Sequence, residues 1–360
     1  MNILRVIQFI GEARETLDVK RNVSMVKSIL AEPSLYQKFE RKDYNTRKRE
    51  LWKWYFHNKE VCRYYNSYGF DIKDFRNQED YISYKQFRIE RDRDNYQSIS
   101  QIRLNNKISI LRDKVLFSAY FGTLLGKKYV VPSIGKILPD GGVFAFRTHT
   151  IENLSSFIKS YSGNFFVKKI NGECGEGCYI VNSDTDCDEF LNRIKGSVYL
   201  IQNQIQQHEE INKINSKSLN TIRIITIIGS NSFEPSIFAH YMRFGTGNAF
   251  VDNRAVGGLG VAISDEGKLV GSGIGHHSMS ATHPDTGVVF EGRVVPFWDE
   301  VKSLVVRAHQ LVPEIKTIGW DVAITPDGPV LVEGNDNWEI SGPQDIFGGL
   351  KEKWYAMRER

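Results

Sequence analysis

Two apolar runs, Gly319-Trp-Asp-Val-Ala-Ile-Thr325 and Pro329-Val-Leu-Val-Glu-Gly-Asn335, flank the tripeptide Pro326-Asp-Gly328. Pro and Gly supply the dihedrals a tight turn needs, so the segment predicts a β-hairpin with the tripeptide as its loop. A three-residue loop pairs Thr325 with Pro329 and sets Asp321 opposite Glu333. Side chains alternate along a strand, so Asn335 shares the face of Glu333. Like charges directly opposite one another destabilise a sheet. The arrangement makes sense if a divalent cation sits between them. Carboxylate and amide oxygens suit Mg²⁺, which keeps several waters and completes its shell with phosphates. Asp321, Glu333 and Asn335 are therefore metal-ligand candidates. The alternative is a hairpin with solvated acids, but Trp320, Val322 and Val332 argue for a half-buried face.

A second segment, Phe165-Phe-Val-Lys168-Lys-Ile-Asn-Gly172-Glu-Cys-Gly175-Glu-Gly177-Cys-Tyr-Ile-Val181, reads as strand, glycine-rich turn, strand. Gly172, Gly175 and Gly177 let backbone N–H groups curl around an anion with no side chain in the way. Lys168 adds a positive charge at the end of the first strand. A Walker loop needs Gly-Lys-Ser/Thr opening a helix, and a dinucleotide fingerprint also precedes a helix, so neither fits. An ordinary glycine-rich hairpin is the competing reading. Cys174 and Cys178 lack a partner pair at zinc spacing, so a metal reading of these thiols is rejected.

Texture divides the 360 residues. Residues 1–100 contain one proline, Pro33, and two glycines, Gly11 and Gly69, with apolar residues at helical spacing. Beyond 115, β-rich runs (165–168, 178–181, 198–202, 221–228, 237–241, 320–324, 330–333) alternate with expected helices at 150–161, 184–194 and 296–313. That mixture predicts an α+β fold with antiparallel sheets. Boundaries are drawn near 105 and 205, giving a helical region 1–105, a first lobe 106–205 and a second lobe 206–360. Residues 1–105 hold 21 Lys and Arg against 15 Asp and Glu, interleaved with aromatics around Tyr44–Phe56. Anionic lipid, a polyanionic glycan or nucleic acid would suit such a surface, but a helical layer with solvated basic residues ranks higher. A net charge of +4 is too small to argue for nucleic acid. Four cysteines make no disulfide framework and fit a reducing cytoplasm. No apolar run reaches the ~20 residues of a membrane span. Met1–Ile10 is not a signal peptide; it reads as an amphipathic helix packed on the protein, with peripheral membrane binding as its alternative.

Together the two segments resemble the ATP-grasp superfamily, over about residues 105–345. That resemblance implies two α+β lobes with antiparallel sheets clasping ATP and Mg²⁺, preceded here by the helical region. It implies that Lys168 and the glycine loop cover the phosphates and that Lys114, in Arg112-Asp-Lys114, reaches the α-phosphate. It implies that Gln202, Asn203 and Ile205 form the adenine-reading hinge, with Glu209 on the ribose. The hinge usually opens with Glu, and here it opens with Gln202. Gln207-His208, Asn220-Thr-Ile-Arg223, Val251–Gly258, His283–Gly287 and Gly319–Pro329 are similar to the sugar-transfer-associated branch, which is linked to polysaccharide biosynthesis.

The resemblance further implies carboxylate activation as an acyl phosphate, followed by attack of an amine. Cations are needed where charge develops, and Arg223, Arg243 and Arg254 are the candidates. Asp252, Asn253, Gly257 and Gly258 read as a loop roofing the acceptor pocket. His276, His277 and His283 read either as glycan or proton-transfer groups or as a polar loop. The expected partners are an amine or amino acid and a carboxylate-bearing sugar or glycan, with no nucleic acid. The expected location is cytoplasmic, with peripheral contact to the inner membrane surface as an option. A phosphotransferase on the same scaffold and a non-catalytic nucleotide-binding scaffold are the competing functions.

Overall fold

Helix-forming runs punctuated by capping residues build the first part of the chain. The computed structural model describes residues 18–96, 107–161, 163–170, 172, 177–247, 252 and 257–359. The expected amphipathic segment at 1–10, Gly175, and the pair Asn253 and Arg254 lie outside the described residues. The described chain divides into two units. The first runs to Arg91 and includes His276–Met279 and Glu339–Tyr355; the second holds Asp92–Gly275, Ser280–Trp338 and the segment from Ala356 onward. The two units thus meet in the chain between Arg91 and Asp92, and residues 339–355 belong to the helical unit.

The first unit is helical. Helix α1 (Val19–Ala31) is capped by Asp18, whose carboxylate accepts from Arg21 N, and it buries Asn22, Val26, Ile29 and Leu30. That spacing is one helix face. Helix α2 (Tyr44–Asn58) starts at an Asp43 cap and ends where Lys59 adopts φ 59°. The two helices share a core with Val61, Tyr65, Tyr68 and Phe70. Helix α3 (Tyr84–Asn95) begins in this unit. Helix α10 (Ser341–Phe347) carries Gln344, which accepts from Ile82 N at 3.0 Å and donates to Ile82 O at 3.2 Å. This pairing explains why a segment so distant in sequence joins the unit.

The second unit has two antiparallel sheets. After α4 (Ile108–Arg112) and α5 (Lys114–Leu124) come β1 (Ser133–Ile137), β2 (Val143–Ala145), β3 (Thr150–Glu152), β4 (Phe165–Lys169), β5 (Cys178–Val181) and β6 (Tyr199–Asn203), in the order β3-β2-β1-β6-β4-β5. Helices α6 (Leu154–Ser160) and α7 (Cys187–Ile194) bury Phe157, Ile158, Phe190 and Ile194 with Val143, Val167 and Ile201. The helix expected at 150–161 is a short strand followed by a helix. Asn153 caps that helix by accepting from Ser156 N at 2.8 Å, so the chain before it is released to the sheet edge. The strands β1 and β2 were not anticipated from the sequence.

The larger sheet has β7 (Thr221–Ile227), β8 (Ser236–Phe244), β9 (Leu259–Ile263), β10 (Leu269–Ile274), β11 (Met279–Ser280), β12 (Thr317–Thr325) and β13 (Gly328–Asn335). Its order is β11-β10-β9-β8-β7-β12-β13. The short helix α8 (Glu209–Asn212) precedes β7. Helix α9 (Trp298–Gln310) packs Val301, Leu304, Val305 and Ala308 into the core of this sheet, with Ile222, Ile224, Trp320, Val322 and Leu331. Helix α11 (Lys351–Glu359) ends the described chain. No helix among the described residues is long and apolar enough to cross a membrane.

The hairpin β12–β13 corrects the expected loop. Thr325 pairs with Gly328, not Pro329, so the loop is Pro326-Asp327. Gly328 has φ 119°, which favours glycine there. A two-residue loop alone would shift the carboxylates out of register. An irregularity between Asp321 and Val322 leaves Val332 as the extra residue, and Asp321 still pairs with Glu333. Gly319 packs under Trp338, where an added Cβ would come within 2.8 Å of the Trp338 Cβ. Gly319→Ala is expected to destabilise the protein by about 1–3 kcal/mol through overpacking. Urea unfolding of the variant tests this, and an unchanged midpoint would refute it.

Candidate functional site

Strand register assembles the site. Tyr241 on β8 pairs with Arg223 on β7, Arg223 with Asp321 on β12, and Asp321 with Glu333 on β13. One lateral row across four strands therefore presents Tyr241, Arg223, Asp321 and Glu333 to the same face. Arg223 Nε donates to Asp321 Oδ1 at 2.6 Å and Nη2 donates to Oδ2 at 3.1 Å. Arg243, near the end of β8, places Nη2 2.9 Å from Asp321 Oδ2 and 3.3 Å from Asp252 Oδ1. Thr221 closes the group: it accepts from Arg243 Nη2 at 2.6 Å, and its N–H donates to Asp252 Oδ2 at 2.6 Å. Asn335 Nδ2 donates to Gly319 O at 3.2 Å and lies 3.4 Å from Glu333 Oε1 and 3.5 Å from Asp321 Oδ2.

The row separates the two carboxylates electrostatically. Burial would raise the Asp321 carboxyl, but Arg223 and Arg243 override it and hold it well below the usual carboxylate range. Burial also raises Glu333, the Asp321 charge adds to it, and Lys114 and Lys168 oppose it only in part. Asp321 is thus a fixed anion already neutralised by two guanidinium groups. Glu333 is the carboxylate whose charge is left uncompensated, which is where a cation gains most. Burial raises Asp252 as well, against the opposing charge of Arg243. Among the described residues, no group of three or more His, Cys, Asp and Glu side chains could hold a metal. The donor set here is two carboxylates and an amide, which suits a hard cation that also takes water and phosphate oxygens. Such donors are chemically compatible with Mg²⁺; of the three, Glu333 and Asn335 are not paired with arginine, whereas Asp321 is tethered to Arg223 and Arg243.

The smaller sheet supplies the opposite charge. Lys168 on β4 pairs with Cys178 on β5 and Leu200 on β6, and it is buried. Burial lowers its ammonium below the usual lysine value; the Glu333 charge opposes that shift and Lys114 adds to it. Lys114, the first residue of α5, donates Nζ to Gly172 O at 2.6 Å, so it is brought to the glycine loop. Gly177 has φ 68° and its carbonyl accepts from Lys169 N at 3.0 Å, which fixes the exit of that loop. Gln202 on β6 is buried and donates Nε2 to Ser133 Oγ at 3.0 Å, while its Oε1 has no hydrogen-bond partner among the described residues. A buried acceptor left unpartnered is costly. Its chemistry fits an amino-group donor such as that of adenine. Asn203 is exposed and its N–H donates to Pro132 O at 3.1 Å; Ile205 is half-buried. Glu209 is exposed at the start of α8, 3.4 Å from Lys213.

A buried amide network supports the arginine cluster. Gln207 Oε1 accepts from Asn220 N at 2.7 Å and Asn220 Nδ2 at 3.0 Å. Asn220 Oδ1 accepts from Gly245 N at 3.2 Å, and Asn215 Nδ2 donates to Gly245 O at 2.9 Å. Gly245 lies two residues beyond Arg243, so the network fixes where β8 ends. His283 joins it: its Nε2 meets Gly245 O at 2.9 Å and its Nδ1 accepts from Asp285 N at 3.3 Å. The structure thus places His283 inside a buried turn with both nitrogens engaged. His276 belongs to the helical unit, with its ring 6.5 Å from that of Tyr64 and 6.3 Å from that of His277. His276 and His277 thus belong to the helical unit and His283 to the second unit. Gly257 has φ 99° and accepts from Thr246 Oγ1 at 2.9 Å, and Gly258 is buried. Thr221 was missed by the sequence reading, although it shares the strand face of Arg223 by the alternation of β7.

Two sheets of one unit, with Lys168 on one and a carboxylate row on the other, define an ATP-grasp fold. The chain belongs to the sugar-transfer associated ATP-grasp family, whose model matches residues 93–349. Among solved structures it is similar to N5-carboxyaminoimidazole ribonucleotide synthetase from Thermus thermophilus, at 10% identity and TM-score 0.40 over 66% of this chain and 48% of that one. It is also similar to D-alanyl-alanine synthetase A from Vibrio cholerae, at 11% identity and TM-score 0.39 over 68% of this chain and 60% of that one. The biotin carboxylase domain of the Hydrogenobacter thermophilus 2-oxoglutarate carboxylase matches at 12% identity and TM-score 0.39, over 66% and 42%. The chain spans about half the length of the first of these. A search of curated proteins found no match.

The opposite shifts of the two acids have opposite consequences for stability. Asp321 is held below its ordinary 3.8, so its stabilising contribution is complete above that value and is lost as pH falls through the lower folded value. Glu333 is raised, so its ionised form destabilises the folded state at neutral pH, and protonation relieves this. Asp321→Asn is expected to cost about 3–5 kcal/mol, because it strands buried guanidinium charge. Glu333→Gln is expected to raise the melting temperature of the ligand-free protein. Thermal melts at pH 7 decide the matter: a Glu333→Gln variant that melts lower than the parent contradicts the assignment.

Proposed function

We propose that the protein is an ATP-dependent carboxylate–amine ligase that forms an amide through an acyl phosphate. The observation that carries this reading is the row Arg223–Asp321–Glu333 on one sheet, coupled electrostatically to buried Lys168 on the other. Lys168 and Lys114 supply fixed positive charge where phosphate oxygens would lie. Glu333 and Asn335, with Asp321, would hold Mg²⁺, which supplies charge neutralisation at the phosphates when bound. Gln202 offers its unpartnered Oε1 to the adenine amino group, and Asn203 and Ile205 line the same hinge. Glu209, exposed at the start of α8, would take the ribose hydroxyls. Arg223 and Arg243 are rigid because Asp321 and Asp252 hold them, so they stabilise developing negative charge without reorganising. Arg254, with Asn253, belongs to the acceptor side of this reading, together with Gly257, Gly258 and the anchor Asp252.

The family name supports a role in sugar metabolism. We therefore place a carboxylate-bearing sugar or glycan on the acyl side and an amine or amino acid on the other, as in decoration of a surface polysaccharide. His276 and His277 are candidate contacts for glycan hydroxyls. The basic helical unit is the part suited to an anionic inner-membrane surface.

The test is product analysis. ATP should yield ADP and free phosphate only when both a carboxylate and an amine are supplied. A phosphorylated product with no free phosphate would select a phosphotransferase instead. Amide formation without ADP would overturn the proposal. Lys168→Ala is expected to lower kcat/KM for ATP turnover by roughly 10²–10³, the usual cost of removing one group that stabilises developing charge. Steady-state kinetics at saturating amine measures this, and an unchanged value would remove Lys168 from the chemistry.

A further inference from the structure

The helical unit holds a cavity of about 110 Å³, several times the ~30 Å³ share of one water. Its wall brings together five basic side chains, Arg21, Lys59, Arg63, Lys85 and Arg88, against one carboxylate, Glu60. These residues come from three places in the chain: α1, the αL turn after α2, and the start of α3. The excess is therefore a product of folding and not of one basic run.

Local contacts explain how so much positive charge is held together. Tyr84 provides a platform: the Arg63 guanidinium lies 5.5 Å from its ring centroid and that of Arg88 lies 5.6 Å away. Cation–π contact fixes each guanidinium while leaving its N–H donors for another partner. Glu60 turns its carboxylate to the first turn of α3, accepting from Lys85 N at 3.2 and 3.1 Å. The lone acid is thus bonded to backbone, and burial raises its carboxyl against the opposing charge of Arg63. Lys59 donates to Phe56 O at 2.8 Å, and Arg88 Nε lies 4.0 Å from Glu339, which also stands 3.7 Å from Arg91. Glu339 is thus a distant counter-charge for Arg88 and one shared with Arg91.

We propose that this cavity is a phosphoanion subsite, taking a phosphate monoester or pyrophosphate through Arg63 and Arg88. Guanidinium groups match phosphate oxygens in pairs, and Tyr84 pre-orders both. The ligand is either a free phosphorylated molecule or a phosphate headgroup at a membrane surface; the recognising chemistry is the same. The proposal does not depend on the nucleotide site.

The test uses the full chain with the nucleotide site saturated by Mg²⁺ and a non-hydrolysable ATP analogue. Calorimetry measures binding of inorganic pyrophosphate, and flotation measures binding to phosphatidylcholine vesicles doped with phosphatidic acid. Saturable binding of either probe supports the subsite, and which probe binds identifies the source. The double variant Arg63→Gln plus Arg88→Gln is expected to weaken that binding at least about tenfold, as loss of charge-assisted hydrogen bonds does. The Lys counterpart at both positions should retain more of it. Arg63→Gln alone, at an exposed position, gives the same direction if the double variant fails to fold. Absence of saturable binding to both probes, or an affinity unmoved in the Gln variants, overturns the proposal.

Discussion

The second unit is organised by one ion pair. Asp321 is 1% exposed, and two arginines close on it, one from the adjacent strand β7 and one from β8 beyond it. A buried carboxylate is tolerable only when paired and hydrogen-bonded. Arg223 answers through strand register, directly opposite on β7. Arg243 answers from β8 and carries a second acid, Asp252, which is tied to Thr221. The chain of charges runs across the sheet and ends on Glu333, the member without a guanidinium of its own. This gives the face one carboxylate that is structural and one that is available.

The remainder of the unit keeps that row in place. Trp320 and Val322 alternate with Asp321 on β12 and are fully buried in the larger core. Trp320 Nε1 donates to Thr226 Oγ1 at 2.9 Å, and Thr226 meets His309 Nδ1 at 2.6 Å, so the buried polar atoms are satisfied. Burial lowers His309 to about 4, which keeps it neutral as a core member. The amide network at Gln207, Asn215 and Asn220 does similar work at Gly245. Networks of this kind specify one arrangement because a half-satisfied one is costly. The smaller sheet has its own core and brings Lys168 to bear on Glu333. A lysine and a glutamate from separate sheets with opposing shifts are the arrangement expected where a charged ligand completes the balance.

The helical unit is built differently. Its helices are short and rich in charge, and they are ordered by caps and by an aromatic cluster around Tyr65, Tyr68, Phe70 and Tyr81. Gln344 and its neighbours reach it from the far end of the chain. The basic excess of residues 1–105 is partly a solvated layer, as at Lys48 and Arg49, and partly gathered around Tyr84.

The sequence by itself determined the α+β class, the hairpin at 319–335, the strand pair β4–β5 that carries Lys168 and the facing of Asp321 and Glu333. Each depends on local chemistry: turn residues, side-chain alternation and a lysine at a strand end. The facing was reached through the wrong loop length, and an irregularity beside Asp321 compensated for it. Tertiary structure alone decided that Asp321 is neutralised by arginine, that Asp252 anchors Arg243, and that His283 is a core turn residue while His276 serves the helical unit. It also decided that residues 339–355 fold with the N-terminal helices. These outcomes depend on which strands become neighbours and on how burial divides charge among groups about a hundred residues apart. No local pattern encodes that division, because it is set by the pairing of β7 with β12 and by the low polarity around the groups it brings together.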